Sequence, residues 1–261
     1  MKIVLCIKQV PDTSDIQWTE NNTIQRDGVE SIINPSDCYA IETALKIKET
    51  VPNTTISVLT MGPPQAVEIL KSAISVGADE AFLVSDRKFA AADTIATSRT
   101  LAAAIKTVVP DYDLIICGQF AIDGDTAQTG PSIAQKLDIP QVTYVQKLVS
   151  CDEEKVVVEK EVEDGIEVLQ AELPALLCVK SADELRRPLI SGFENALKAD
   201  IKVLSAENIG LDASEVGMKG SPTYVSKAFR PEQKCSGEIM LFEDCGKTVE
   251  NFKQKISEYL K

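Results

Sequence analysis

The 261-residue chain contains no histidine, and this absence excludes several kinds of enzyme. Histidine is the commonest general base in catalysis and the commonest metal ligand, because its pKa lies near neutrality. Hydrolases and transferases whose chemistry depends on a histidine are therefore excluded. We predict no metal site and no side chain that acts as the catalytic base.

A disulfide or metal framework based on cysteine is not expected either. The seven cysteines are scattered, and none forms a C-x-x-C pair. Cys6, Cys117 and Cys178 lie inside apolar runs, where cysteine behaves as a small hydrophobic residue. We interpret them as reduced thiols of the core, which is typical of a reducing compartment.

Positive charge and long apolar runs are also scarce. The chain has 27 basic and 40 acidic residues, a formal net charge of −13, so we expect no nucleic-acid partner. No run reaches the roughly 18 apolar residues that a membrane span needs. The apolar stretch within residues 1–8 is too short for a signal peptide and predicts a buried strand. We expect a cytoplasmic protein, or an organellar one after removal of a presequence.

The first 150 residues alternate between two kinds of pattern. Apolar, β-branched runs predict strands at 3–7, 55–60, 81–84 and 114–117. The segments between them have helical periodicity, at 39–47, 66–74 and 93–108. Strands that alternate with helices predict an α/β fold, with a parallel, Rossmann-like sheet covered by helices on both faces.

After residue 141 the alternation of predicted strands and helices ends. Four consecutive strands are predicted, at 142–148, 155–161, 166–170 and 175–179. Asp164-Gly165 is a favourable hairpin turn between the second and third of them. We therefore predict an antiparallel extension of the sheet.

The C-terminal part is polar and rich in turns from about residue 205. It ends in a predicted amphipathic helix, Lys247–Leu260, with Val249, Phe252, Ile256 and Leu260 on one face. Such a tail lacks the material for its own core, so we expect it to dock on its own domain or on another subunit. The predicted organisation is an α/β domain at 1–204 and a C-terminal arm at 205–261.

The loop after the fourth strand, residues 118–131, carries the strongest signal for a ligand, because ligands of parallel sheets bind outside the carboxyl ends of the strands. Proline is tolerated in the first turn of a helix, so Pro131 predicts a helix that begins near Gln128 or Thr129. Backbone N–H groups around 125–129 would then be unpaired and would form an anion site. A capped turn without a ligand is the alternative.

A phosphate or pyrophosphate at this loop would lie near carboxylates as well as near hydrogen-bond donors. Asp123 and Asp125 would repel it, so we assign the contact to backbone amides and to the hydroxyls of Thr126 and Thr129. The two aspartates would instead stabilise the turn or meet a ribose.

Two other loops, each taken alone, are more typical of structural turns and helix starts than of ligand sites. Asn34-Pro35-Ser36-Asp37 predicts a helix start that is capped by Ser36 or Asp37. Met61-Gly62-Pro63 ends a strand, and Pro63 or Pro64 then begins a helix. Neither a Walker sequence nor a G-x-G-x-x-G motif occurs.

Taken together, these loops resemble the electron-transfer flavoprotein beta subunit family. The matching segments are Lys8-Gln9-Val10-Pro11-Asp12, Asn34-Pro35-x-Asp37 with Ala40-x-Glu42, Met61-Gly62-Pro63, Gly77-Ala78-Asp79, Ala121-Ile122-Asp123-x-Asp125-x-x-Gln128-Thr129-Gly130, and Gly165 with Leu173-Pro174-Ala175. The resemblance implies an adenine nucleotide alpha hydrolase-like fold and an alpha subunit partner that carries its own FAD. It implies AMP in the beta subunit of the ordinary branch, and a second FAD that takes hydride from NADH in the electron-bifurcating branch.

The resemblance also implies a set of nucleotide-binding residues. They are Cys6 (through its backbone), Lys8, Val10, Asn34, Pro35, Ser36, Asp37, Met61, Gly62, Ala121, Ile122, Asp123, Gly124, Asp125, Thr126, Ala127, Gln128, Thr129, Gly130, Pro131 and Ser132. The sequence Asp123-Gly124-Asp125, and Pro131 after Gly130, resemble the bifurcating branch. Glycine at 124 also lets the backbone approach a pyrophosphate closely. AMP remains the alternative ligand.

The partners follow from the same resemblance. One electron would pass to ferredoxin or flavodoxin, and the other through the alpha-subunit FAD to a flavin-dependent dehydrogenase of the acyl-CoA or 2-hydroxyacid type. The cofactor would do the redox chemistry, so whether the chain is itself an enzyme stays open. A lone ATP-binding stress-type protein of similar fold is a further alternative.

Residues 183–200 resemble the family's partner-recognition segment. Leu189 and Ile190 are the candidate docking residues, and ordinary packing of Ile190 is the alternative. The family's basic run is replaced here by Leu197-Lys198-Ala199-Asp200. The arm at 205–261 is expected to dock on the alpha subunit.

Overall fold

A nine-stranded, mostly parallel sheet organises the chain in the computed structural model, which describes residues 1–12, 31–226 and 244–259. Its strands, with those of a separate antiparallel pair, are β1 (Lys2–Cys6), β2 (Gln9–Pro11), β3 (Ser31–Ile33), β4 (Thr55–Met61), β5 (Glu80–Val84), β6 (Leu114–Gly118), β7 (Gln141–Cys151), β8 (Lys155–Val162), β9 (Gly165–Glu172), β10 (Ala175–Val179) and β11 (Lys202–Leu204). The helices are α1 (Pro35–Thr50), α2 (Val67–Val76), α3 (Thr94–Val108), α4 (Thr129–Leu137), α5 (Ile190–Lys198) and α6 (Cys245–Tyr259).

The strand order places a switch point at the centre of the sheet. The order is β11-β5-β4-β1-β6-β10-β7-β8-β9, while β2 and β3 form a separate antiparallel pair. The chain proceeds from β1 to β4 and β5 on one side, and it continues with β6 and β10 on the other. The carboxyl ends of β1 and β6 therefore flank the crevice in which such sheets bind ligands.

Apolar residues fill both faces of the sheet, as the continuous apolar strand runs predict. Ile3 and Leu5 of β1 belong to the core beneath α1 and α2. Val4 and Cys6, which point the opposite way, belong to the core beneath α3 and α4. The predicted α/β class, its parallel sheet and its alternating elements are confirmed.

The antiparallel extension is smaller than we predicted. The strands β8 and β9 pair antiparallel, as expected for the hairpin at Asp164-Gly165. The prediction was wrong for 175–179, because β10 lies between β6 and β7 and is parallel to both. Its five residues are all buried, as a strand covered on both faces requires. The three-residue strands β2, β3 and β11 were not predicted.

The described residues fall into two compact units, one within 1–226 and the other within 227–261. In the first unit, Ala206, Ile209 and Val216 are buried in the core beneath α3 and α4. In the second, α6 confirms the predicted terminal helix and carries the exposed residues Val249 and Phe252. Leu260 lies outside the described residues. None of the helices described has both the length and the apolar character that crossing a membrane requires.

Candidate functional site

Asp37 joins the first turn of α1 to the carboxyl ends of β1 and β6. Its Oδ2 accepts the N–H of Lys8 at 2.7 Å, and its Oδ1 accepts the N–H of Gly118 at 3.0 Å. Burial raises the pKa of Asp37 to about 7, against the opposing effect of these hydrogen bonds. A Cβ on Gly118 would lie 2.8 Å from Cβ of Ser36 and closer still to Asp37. Glycine at 118 therefore permits this approach.

Asn34 precedes α1 and holds the beginning of the loop that follows β6. Its Nδ2 donates to the carbonyl of Phe120 at 2.8 Å, and its Oδ1 accepts the N–H of Ile122 at 3.1 Å. The prediction that Ser36 or Asp37 caps α1 was wrong. Asn34 occupies the cap position without a side-chain cap bond, Pro35 opens the helix, and the carboxylate of Asp37 faces the strand ends.

Lys8 and Asp123 form an ion pair between the end of β1 and the loop. The Lys8 Nζ lies 2.5 Å from Asp123 Oδ1, and the Asp123 side chain is almost completely buried. Our prediction treated Asp123 as a charge that repels phosphate. The positive charge of Lys8 compensates the negative charge of Asp123, which lowers the repulsion that a phosphate at the loop would meet.

The loop after Asp123 contains five consecutive backbone N–H groups without a hydrogen-bond partner among the described residues. The N–H groups of Gly124 and Asp125 donate to the carbonyl of Ala121, so the prediction of a free amide at 125 was wrong. In the described part of the chain, no protein acceptor pairs with the next N–H groups, which belong to Thr126, Ala127, Gln128, Thr129 and Gly130. We call these five groups the amide row.

The backbone conformation of the loop is unusual at two non-glycine positions. Asp125 and Ala127 have φ angles of 47° and 53°, in the left-handed region. Left-handed residues next to right-handed ones, such as Gln128, turn successive N–H groups toward a common concavity that suits an anion. Such strained conformations concentrate at functional sites.

Helix α4 begins at Thr129, as Pro131 predicts, and its N-terminus rests on the sheet. A Cβ on Gly130 would lie 2.5 Å from Cys178 Sγ and 2.8 Å from Cys117 Sγ. The helix start is thus in direct contact with the carboxyl ends of β6 and β10. The positive end of the helix dipole adds to the attraction that the amide row has for an anion.

Buried thiols support the sheet beneath this helix start. Cys117 Sγ and Cys178 Sγ are 3.7 Å apart and do not form a disulfide. Burial, aided by the nearby Asp37 and Cys178, raises the pKa of the Cys6 thiol to about 12. The prediction of reduced core thiols is confirmed for these three cysteines.

Comparison with known proteins assigns this arrangement to a family. A model of the electron transfer flavoprotein domain matches residues 21–208. The chain is 46% identical to the electron transfer flavoprotein subunit beta of Thermoanaerobacterium thermosaccharolyticum, over 92% of each chain. The chain belongs to the electron transfer flavoprotein beta subunit family.

Two other relatives extend this likeness within the flavoprotein family. The chain is 45% identical to the caffeyl-CoA reductase-Etf complex subunit CarD of Acetobacterium woodii, over 98% of this chain and 99% of the relative. It is 42% identical to the electron transfer flavoprotein subunit beta of Megasphaera elsdenii, over 94% and 93% of the two chains. The family that the loops resemble is thereby confirmed.

Other residues of this family member that we predicted to bind nucleotide lie on or next to β1, β2, β4 and α4. Cys6 lies within β1, between β4 and β6. Met61 and Gly62 lie at the end of β4, where the N–H of Gly62 donates to Val84. Val10 is buried in β2, so its side chain faces the interior. Ser132 donates its N–H to Gln128 inside the first turn of α4.

The predicted docking residues of this flavoprotein subunit lie at the start of α5, which packs on α2. Leu189 immediately precedes α5 and Ile190 begins it, and the two are 75% and 82% exposed. The alternative of ordinary packing for Ile190 therefore does not hold. Phe193 and Leu197 are also exposed, and we did not predict them. Their spacing of four residues, which places them on one helix face, is the signal that could have found them.

Proposed function

We propose that this flavoprotein subunit pairs with an alpha subunit and binds FAD in the crevice between β1 and β6. The amide row at the start of α4 is the observation that carries the proposal, because a row of unpaired N–H groups suits a diphosphate. Bound there, FAD would supply hydride and one-electron chemistry, with NADH as the donor and two acceptors: ferredoxin or flavodoxin and, through the alpha-subunit FAD, a flavin-dependent dehydrogenase.

The chain would contribute binding and charge compensation to this process. The amide row and the hydroxyls of Thr126 and Thr129 would hold the diphosphate oxygens. Lys8 would keep the charge of Asp123 compensated, so that the loop does not repel the ligand. Asp37 and Asn34 would hold the two sides of the crevice at a fixed separation.

Space at Gly124 supports a dinucleotide. A Cβ at this position would meet no protein atom within 4 Å, so the glycine is not required by packing. A diphosphate that passes along the backbone would explain the missing side chain. AMP is the second candidate, since the same amides could hold a single phosphate.

The nucleotide content of the purified heterodimer tests this proposal. We expect about two flavins per heterodimer, one of them in the beta subunit, and no AMP after acid release. The absorption spectrum and chromatography of the released nucleotides measure both quantities. One flavin together with one AMP would favour the structural AMP role.

We also propose that α5 docks on the partner dehydrogenase, which would be of the acyl-CoA or 2-hydroxyacid type. Exposed apolar side chains on a rigid element are good anchors for an interface. Arg186 fixes the chain before α5, since its Nη2 and Nε donate to Glu42 at 2.7 and 3.1 Å. On the helix itself, a Cβ on Gly192 would overlap the carbonyl oxygen of Ser75, so α5 lies directly on α2.

Substitution of Ile190 tests the docking surface. Ile190→Ser is expected to raise the KM for the co-purifying dehydrogenase about tenfold, because it removes an exposed anchor. Met218→Ser is the matched control, since Met218 is 64% exposed and lies outside α5. Both variants should retain their nucleotide. Equal KM values for the two variants would contradict docking through α5.

A further inference from the structure

Strand β7 contains a bulge beside β10, at the carboxyl side of the sheet. Leu177 pairs with Val142 and Val179 with Val145, so β7 has one extra residue in this interval. Tyr144 lies in the bulge with a φ of 58°, which is uncommon for an aromatic residue. Bulges of this kind redirect a side chain and are frequent next to active sites.

Gln119 connects this bulge to the candidate nucleotide site. The N–H of Tyr144 donates to Oε1 of the buried Gln119 at 2.6 Å, and Gln119 donates its own N–H to Val179 at 2.8 Å. Gln119 is the first residue after β6, and its chain continues into the amide row. The unusual conformation of Tyr144 is therefore held by the loop that we propose to bind the diphosphate.

The Tyr144 ring is accessible and lies near a cation. Tyr144 is 42% exposed, and the Nζ of Lys180 is 5.8 Å from the centroid of its ring. Lys180 follows β10 directly and forms an ion pair with Glu161, which also accepts a hydrogen bond from Gln146. The lysine is thus held in place near the ring, and the ring keeps accessible surface for a ligand.

The strand order indicates which part of a ligand reaches this ring. In the order β4-β1-β6-β10-β7, Cys6 and Met61 lie on the β1 and β4 side of the amide row. Tyr144 and Lys180 lie on the opposite side. If one half of a dinucleotide lies over β1 and β4 and its diphosphate on the amide row, its other half extends over β10 and β7.

We propose that Tyr144, supported by Lys180, binds the isoalloxazine ring of FAD and so favours FAD over AMP in this site. The inference rests on the proposed function, which supplies the FAD. Planar aromatic ligands stack on tyrosine irrespective of their hydrogen-bonding edges. AMP has no second ring system, so it would gain nothing from Tyr144.

Variants of Tyr144 test the inference in the purified heterodimer, with the alpha-subunit FAD retained and the beta-site nucleotide removed by dialysis. Tyr144→Leu is expected to weaken FAD binding about tenfold and to leave AMP binding within about twofold. Tyr144→Gly should give the same result, and its backbone adopts a positive φ without strain, so a folding defect is avoided. Tyr144→Phe retains the ring and should bind FAD as the wild type does.

The outcomes separate this inference from the proposed function. If the wild type binds FAD and the Leu and Gly variants bind it equally well, Tyr144 has no role and only the inference fails. If FAD and AMP weaken together, Tyr144 acts on the fold and the inference is overturned. If the wild type binds AMP but no FAD in the beta site, the proposed FAD function fails and the inference fails with it.

Discussion

Gly130→Ala is expected to lower the free energy of unfolding by about 1–3 kcal/mol and to weaken nucleotide binding at least about tenfold. The new Cβ would lie 2.5 Å from Cys178 Sγ and 2.8 Å from Cys117 Sγ. Both thiols are buried on central strands and have little room to move. The start of α4 must therefore shift away from the sheet, and the amide row shifts with it.

Gly124→Ala is the matched control for this prediction. Its Cβ would meet no protein atom within 4 Å, so the free energy of unfolding should stay within about 0.5 kcal/mol of the wild type. We expect its FAD affinity to fall nevertheless, because the methyl group enters the space assigned to the ligand. Urea denaturation and equilibrium dialysis measure the two effects. A Gly130→Ala variant with wild-type stability and affinity would refute the close approach of α4.

Asp37→Asn is expected to destabilise the chain by about 1–3 kcal/mol at pH 5, because the amide group cannot replace the carboxyl group as a double acceptor. Asp37 accepts the N–H groups of Lys8 and Gly118 with different oxygens. In asparagine, one of these donors would face an NH₂ group. The carboxyl ends of β1 and β6 would separate, and nucleotide affinity should fall as well.

The destabilisation that Asp37→Asn causes should depend on pH with a defined sign. Burial raises the pKa of Asp37 from 3.8 to about 7, so the folded chain holds a proton that the unfolded chain releases in this interval. The stabilisation from Asp37 is therefore complete below about pH 4 and is lost as the pH rises through about 7. The stability difference between the wild type and Asp37→Asn should narrow from pH 5 to pH 8.

Urea denaturation at several pH values measures this difference. Asp111→Asn serves as the control, since it removes an exposed carboxylate that pairs with Lys2 and should change stability little. A difference that widens with rising pH would show that folding favours the ionised carboxylate, contrary to our account of Asp37.

The sequence predicted features that depend on local rules. Apolar runs and helical periodicity located the main strands and helices, because burial and the two side-chain periods leave direct traces in the sequence. Pro131 located the beginning of α4 for a steric reason that also needs no tertiary information. The general behaviour of parallel sheets also placed the candidate ligand loop after β6, and ligand binding at this loop stays a prediction.

Features that depend on distant residues were missed. Nothing in the local pattern of Ala175–Val179 shows that this strand returns to the centre of the sheet. The carboxylate of Asp37 was interpreted as a helix cap, but its partners Lys8 and Gly118 are 29 and 81 residues away. The ion pair between Lys8 and Asp123 was missed for the same reason, because 115 residues separate them in the sequence. The position of Tyr144 depends on a bulge that only strand pairing defines.

A crystal structure of the heterodimer saturated with FAD tests the central claim most directly. We predict that the diphosphate of the beta-subunit nucleotide accepts hydrogen bonds, at about 2.7–3.2 Å, from N–H groups between Thr126 and Gly130. A beta-subunit nucleotide bound elsewhere, with these five amides facing only solvent, would contradict it.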